Sequence, residues 1–318
     1  MRKILLIKTS SLGDVVHNLP VVTDIRRNFP NAVIDWVVEE AYLPLVQLHP
    51  GVHEAIPVAI RRWRRRPLKL ATWTEIRRLR QRLRHDRYEL VIDTQGLIKS
   101  ALLAAAAQGR RHGFDAASAR EPIAARFYDV CHHVARSQHA VVRNRELAAR
   151  ALGYRNGDTV DFGLRSGASP RDKASDCRIV LLHSTSRADK HWPEERWLEL
   201  GNLIESAGGS VVLPWGSSSE RLRSERIASS LRHAQIPGAL SIQAVAALLA
   251  QCSGVAGLDT GLTHLAAAFG TPVAAIYCAT DPGLTGVYGS SRAQNLGGPD
   301  HAPQAHQVFE MLQTCGAL

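Results

Sequence analysis

One junction recurs along this chain and constrains its fold more than any other feature: a short, wholly apolar run ends in small or polar residues, and helical apolar spacing follows at once. Residues 4–7 lead into Lys8-Thr9-Ser10-Ser11-Leu12-Gly13-Asp14, after which Val15, Val16, Leu19 and Val22 fall on one helical stripe. The same transition follows residues 90–92 at Asp93-Thr94-Gln95-Gly96, residues 179–182 at His183, and residues 254–258 at Asp259-Thr260-Gly261-Leu262-Thr263-His264. Strands are also expected at 33–38, 55–58, 210–213 and 273–277. Helices are expected at 15–27, 42–48, 72–84, 97–107, 194–206, 220–230, 242–250, 262–269 and 305–312. Apolar strands alternating with helices imply an α/β fold with parallel sheets covered on both faces. Ligands of such sheets gather beyond the carboxyl ends of the strands, so Asp14 and Gln95 are expected to line one cleft.

A chain of 318 residues exceeds the usual single-domain size and predicts two domains of about 150 residues. Residues 153–176, rich in Gly, Ser, Asp and Arg, read as the linker. The domains are then 1–160 and 177–300, with 301–318 a closing helix expected to pack back on the first domain. Charge divides the same way. Residues 1–160 hold 27 Lys and Arg against 15 Asp and Glu, whereas 161–318 hold 12 against 14. Between Arg61 and Arg87 there are 12 basic and 2 acidic residues, a stretch that attracts an anionic surface or ligand. Five scattered cysteines suit a reducing cytoplasm and argue against a disulfide framework or zinc site. Residues 1–7 are too short for an export segment, and no apolar run approaches the roughly 20 residues of a membrane span.

The turns after strands carry the chemistry. Asp14 begins a helix behind Ser11 and Gly13, where it acts as a cap or as a base. The Asp259 turn opens a helix whose N–H groups suit a phosphate, with Thr260, Thr263 and His264 as donors. After residue 182, Thr185, Ser186, Arg187 and Lys190 gather hydroxyls and cations ahead of Pro193 and Glu194. Glu220, at a helix start behind Trp215-Gly216, accepts from a ribose or complements the helix dipole. No Gly-x-Gly-x-x-Gly or Walker loop is present, which disfavours a dinucleotide dehydrogenase or an NTPase. None of the 14 histidines has a helical two-ligand spacing backed by a carboxylate, so no metal site is expected. The arginines around Trp63 leave open a basic nucleotide-binding scaffold for nucleic acid or membrane.

Taken together, Lys8 to Asp14, Ile60-Arg61-Arg62-Trp63, Asp93-Thr94-Gln95-Gly96, Ala119-Arg120-Glu121-Pro122, Asp189-Lys190-His191-Trp192-Pro193-Glu194 and Asp259 to His264 resemble the bacterial lipopolysaccharide heptosyltransferases, glycosyltransferase family 9. The likeness runs nearly end to end. It implies a GT-B fold, two Rossmann-like domains with parallel sheets facing across a cleft, the first binding acceptor and the second donor. It also implies inverting, metal-independent transfer of L-glycero-D-manno-heptose from ADP-heptose to the Kdo of Kdo-lipid A, with the sister activity on a heptose acceptor as the alternative. The resemblance makes Asp14 the base and Lys190 the charge facing the leaving diphosphate. Donor contacts fall to Thr185, Ser186, Lys190, Glu220, Leu240, Asp259, Thr260, Gly261 and His264, and acceptor contacts to Arg61, Arg62 and Arg120. Leu240 stands where the family carries Met and Ser186 where it carries Thr; each keeps the character of its contact. No resident cofactor is implied, ADP-heptose being a co-substrate. The expected location is the cytoplasmic face of the inner membrane, against an anionic lipid surface, with no nucleic-acid partner.

Overall fold

A computed structural model describes residues 2–164, 177–185 and 187–318, in two compact units, Met1–Gly163 and Leu164–Leu318. The first unit holds β1 (Lys3–Ile7), β2 (Val33–Glu39), β3 (Glu54–Val58), β4 (Arg87–Asp93), β5 (Gln108–Phe114) and β6 (Val130–His132), all parallel, in the order β3-β2-β1-β4-β5-β6. The second holds β7 (Arg178–Leu182), β8 (Ser210–Val212), β9 (Ala234–Gln235), β10 (Gly254–Leu258), β11 (Val273–Tyr277) and β12 (Ala293–Gly297), in the order β12-β11-β10-β7-β8-β9. Counted from its own first strand, each sheet has the doubly wound order. The winding therefore reverses between β1 and β4 in one unit, and between β7 and β10 in the other.

The central strands are buried on both faces, which is why they read as continuous apolar runs: Ile4 to Ile7 are 0 % exposed, and every residue of β10 and β11 is buried. Two helices, Leu12–Val16 and Leu19–Asn28, replace the single one expected over 15–27. Pro20 explains the break, because it has no N–H for the preceding turn and is tolerated only at a helix start. The closing helix is Ala305–Thr314. It packs on the helix Glu194–Ser206 and on β10 and β11, and buries Ala305, Val308 and Leu312 in the second unit's own core. Its apolar stripe meets the buried face of that sheet, and the Trp192 indole donates to the Pro303 carbonyl at 2.9 Å to hold the approach.

Candidate functional site

In the first unit the parallel pairing of β1 with β4 sets Ile7 opposite Asp93, so the two following turns lie side by side. Gln95 joins them. Its Oε1 accepts from the Thr9 N–H at 2.6 Å and the Thr9 hydroxyl at 2.8 Å, and its Nε2 donates to the Ser10 carbonyl at 2.6 Å. Gly96 takes the left-handed φ of 66° that this turn needs. Beneath it, the fully buried Asp93 accepts from the Gln95 N–H at 2.8 Å and the Tyr128 hydroxyl at 2.7 Å, a supporting role in which burial raises its pKa.

Asp14 hangs over this turn with its side chain 18 % exposed. It does cap the helix, as one reading of the sequence had it: its Oδ2 accepts from the Ser11 N–H at 2.9 Å and the Ser11 hydroxyl at 3.1 Å. That oxygen also lies 3.5 Å from the Arg120 guanidinium. Burial alone would raise the carboxyl pKa; Lys8, Arg120 and the Ser11 bonds outweigh it and hold Asp14 below the ordinary carboxylate range. Lys8 is itself buried. Its ammonium donates to the Thr94 carbonyl at 2.9 Å and to Asn144 Oδ1 at 3.3 Å, and desolvation, only partly offset by Asp14, pushes its pKa down to about 8. Lys99 reaches back from the next helix to donate to the Ser10 hydroxyl at 2.8 Å. Of the three arginines expected on the acceptor side, Arg120 meets Asp14. Arg61 donates its backbone N–H to the buried Glu39 at 3.0 Å and lays its guanidinium over the Tyr42 ring. Arg62 is clamped by Glu40 and Glu75, each at 3.0 Å.

In the second unit the parallel pairing of β10 with β7 brings the Lys190 turn beside the Asp259 turn. Lys190 Nζ donates to Asp259 Oδ2 at 2.5 Å, the Thr280 hydroxyl donates to the same oxygen at 2.7 Å, and His264 Nε2 lies 3.4 Å from Oδ1. Burial opposes ionisation of Asp259, yet these three partners carry its pKa far below the usual value. Thr260 precedes the helix Gly261–Ala268, and Thr263 turns its hydroxyl back to the Leu258 carbonyl at 2.6 Å. Only a glycine fits at position 257, where an added Cβ would come within 2.4 Å of that hydroxyl. The Lys190 turn is anchored by its neighbour Trp192, fully buried edge-on to Trp197, and by Arg223, which donates to the Trp192 carbonyl at 2.7 Å. Thr185 is half-buried on the same turn; Ser186 lies outside the described residues. Glu220 folds onto its own turn and accepts from the Gly216 N–H at 2.6 Å, and Leu240 is half-buried just before the helix Ile242–Gln251. Lys99, Asn144 and Thr280 are site residues that the sequence did not single out. Among the described residues, no group of three or more His, Cys, Asp and Glu is placed to hold a metal ion, and no helix is long and apolar enough to cross a membrane.

Each unit thus presents a charged constellation at the point where its winding reverses: a shielded carboxylate in the first, a cation–carboxylate pair at a helix N-terminus in the second. The profile described as glycosyltransferase family 9 (heptosyltransferase) matches residues 76–313. The chain is 45 % identical over 293 residues to the lipopolysaccharide heptosyltransferase 1 of Pseudomonas aeruginosa, covering 91 % of this chain and 82 % of that one. It is 42 % identical over 295 residues to the enzyme of the same name from Escherichia coli K12, covering 91 % and 92 %. Identity to the lipopolysaccharide heptosyltransferase 2 of Salmonella typhimurium is 26 % over 308 residues, covering 89 % and 84 %. Among solved structures, the E. coli heptosyltransferase WaaC with ADP superposes with a TM-score of 0.91 at 38 % identity, covering 98 % of this chain and 99 % of that one. The same enzyme with ADP-2-deoxy-2-fluoro heptose gives 0.89 at 38 % identity over the same shares.

Proposed function

The chain belongs to glycosyltransferase family 9, and from that premise we propose that it is a lipopolysaccharide heptosyltransferase of the first type, moving heptose from ADP-heptose to the Kdo of Kdo-lipid A. The ADP-heptose analogue in a relative that matches over almost the whole chain supports the donor. The acceptor is supported by identities of 42–45 % to type 1 enzymes against 26 % to a type 2 enzyme. The geometric observation that carries the chemistry is the Asp14 carboxylate at the winding reversal of the first unit, held by Ser11 and 3.5 Å from the Arg120 guanidinium.

Asp14 accepts the proton of the attacking acceptor hydroxyl. A carboxylate held at low pKa is a weak base, so the proton moves late, once the new C–O bond has begun to acidify the hydroxyl. The oxygen attacks the anomeric carbon from the face opposite the diphosphate, the bond to ADP breaks with its electron pair leaving on the diphosphate, and configuration inverts. Lys190, together with the N–H groups at the start of the helix Gly261–Ala268, offsets the charge that builds on departing ADP. Thr185, Thr260 and His264 surround that diphosphate, Glu220 meets the ribose and Leu240 the adenine. Arg61, Arg62 and Arg120 draw in the acceptor, whose Kdo carboxylate and lipid A phosphates are anionic. The enzyme works without a metal ion, from the cytoplasmic side of the inner membrane, on an acceptor embedded in the leaflet.

Purified protein supplied with ADP-heptose and Kdo-lipid A should release ADP at an unchanged rate in EDTA. Loss of activity in EDTA, restored by a divalent cation, would overturn metal independence. Turnover on a heptose-terminated but not a Kdo-terminated acceptor would move the chain to the second type.

A further inference from the structure

The turn between the helices Ile60–Arg65 and Leu70–His85, with the first turn of the second helix, projects the most exposed large apolar side chains described in the protein: Leu68 is 96 % exposed, Leu70 82 % and Trp73 60 %. Around them stand Arg64, Arg65, Arg66, Lys69 and Arg77, all exposed. We propose that Leu68, Leu70 and Trp73 form a wedge that inserts between the lipids of an anionic bilayer leaflet while the surrounding cations bind its headgroups. In naming the bilayer as partner this rests on the reading of a lipid-borne acceptor, and it goes further in specifying which residues enter the membrane.

Hydrogen bonding within the turn supports insertion. A tryptophan entering lipid must satisfy its indole N–H, and Trp73 already does so by donating to the Pro67 carbonyl at 2.9 Å. The Thr72 hydroxyl donates to the Arg66 carbonyl at 2.9 Å, and the Thr74 hydroxyl to the Leu70 carbonyl at 3.1 Å. The polar groups of these side chains therefore enter the headgroup region with their partners in place. Charge supplies the second argument. A stretch with 12 basic and 2 acidic residues is attracted to anionic lipid, and apolar insertion adds the short-range hold that charge alone lacks. Nucleic acid fits less well, because two of the three exposed apolar side chains are aliphatic and offer no ring for base stacking.

The test uses the full chain and sedimentation with vesicles of phosphatidylcholine, with or without phosphatidylglycerol. Wild type should bind the anionic vesicles, with binding weakened by salt. Leu68→Ser/Leu70→Ser/Trp73→Ser should bind them at least about tenfold more weakly, while releasing ADP from a deacylated, water-soluble acceptor at the wild-type rate. Lys69→Gln/Arg77→Gln should lose much of the preference for phosphatidylglycerol. Unchanged vesicle binding by the triple variant overturns the wedge, as does tight binding of wild type to RNA with none to vesicles. If wild type binds vesicles through these three residues yet releases no ADP from the soluble acceptor, the wedge stands and the transferase reading fails.

Discussion

Lys190 and Asp259 meet at 2.5 Å, with side chains only 16 % and 9 % exposed, so the cation proposed to face the leaving diphosphate already has a carboxylate partner. A diphosphate arriving there joins an existing pair. Asp259 then fixes the position of Lys190, and Lys190 neutralises charge on both sides.

Breaking that pair should separate stability from catalysis. Lys190→Met leaves Asp259 with Thr280 and His264, and should lower kcat by about 100-fold or more together with the melting temperature. Adding Asp259→Asn removes the stranded charge and should restore the melting temperature but not the rate. Thermal scans beside ADP-release assays decide the matter; recovery of both would assign Lys190 a purely structural role.

Asp14→Asn should reduce kcat by roughly 100- to 10,000-fold while leaving ADP affinity unchanged. Calorimetric titration with ADP supplies the second measurement, and equal losses in rate and affinity would make Asp14 a binding residue.

The pH profile should carry the mark of Lys8. A base works above its own pKa, and Asp14 lies below the ordinary carboxylate range, so the acid limb of kcat/KM should fall at correspondingly low pH. Lys8, pushed down to about 8, loses its proton as pH rises through that value, and kcat/KM should decline there. Lys8→Met should abolish the alkaline limb and move the acid limb upward, because burial of Asp14 remains while its nearby cation is gone. Stability follows the same signs. The Asp14 contribution is present above its unfolded pKa and lost as pH falls through the folded one. The folded chain binds fewer protons at Lys8 than the unfolded chain does, so stability rises with pH from about 8 to the ordinary lysine value of 10.5. An unchanged profile in Lys8→Met would remove Lys8 from the account.

Gln95→Leu should loosen the base without touching it. The substitution strands the buried Thr9 N–H and Ser10 carbonyl, at a cost of about 1–3 kcal/mol for each unsatisfied group, and frees the loop that carries Asp14. We expect a lower melting temperature and a lower kcat, with ADP affinity intact. A melting temperature equal to that of wild type would show that the three hydrogen bonds do not hold the turn.

Arg120 and Arg62 should differ as acceptor ligands. Arg120→Ala removes a guanidinium 3.5 Å from Asp14 and should raise the acceptor KM severalfold. Arg62→Ala releases Glu40 and Glu75 from exposed ion pairs that water and salt already screen, and should change KM less. Steady-state assays with Kdo-lipid A rank the two, and the reverse order would show that Arg62 leaves its carboxylates to bind acceptor.

The parts legible in the sequence were those whose signal is local. β10 and β11 are buried on both faces and so read as unbroken apolar runs, while Asp259 follows directly behind one apolar strand and Asp14 opens the helix after another. β5, with Arg110 and Arg111 in its middle, is buried only in its last three residues, and β12, an edge strand, is mostly exposed, so both carry little such signal. Lys99 sits inside an Ala-rich helix and reaches Ser10 only because β1 and β4 are neighbours. Thr280 lies 21 residues beyond Asp259, and the contact depends on the pairing of β10 with β11. A pattern read along the chain cannot anticipate contacts that the sheet order creates.

Gly254 in β10 lies so close to Ala317 that an added Cβ would approach the alanine methyl to 2.4 Å. The middle of the second sheet is thus sealed by residues made more than sixty positions later, whereas the first unit has its residues by Gly163. On the ribosome the amino-terminal half can therefore close its core while synthesis continues, and the other half must wait for Ala317 to emerge.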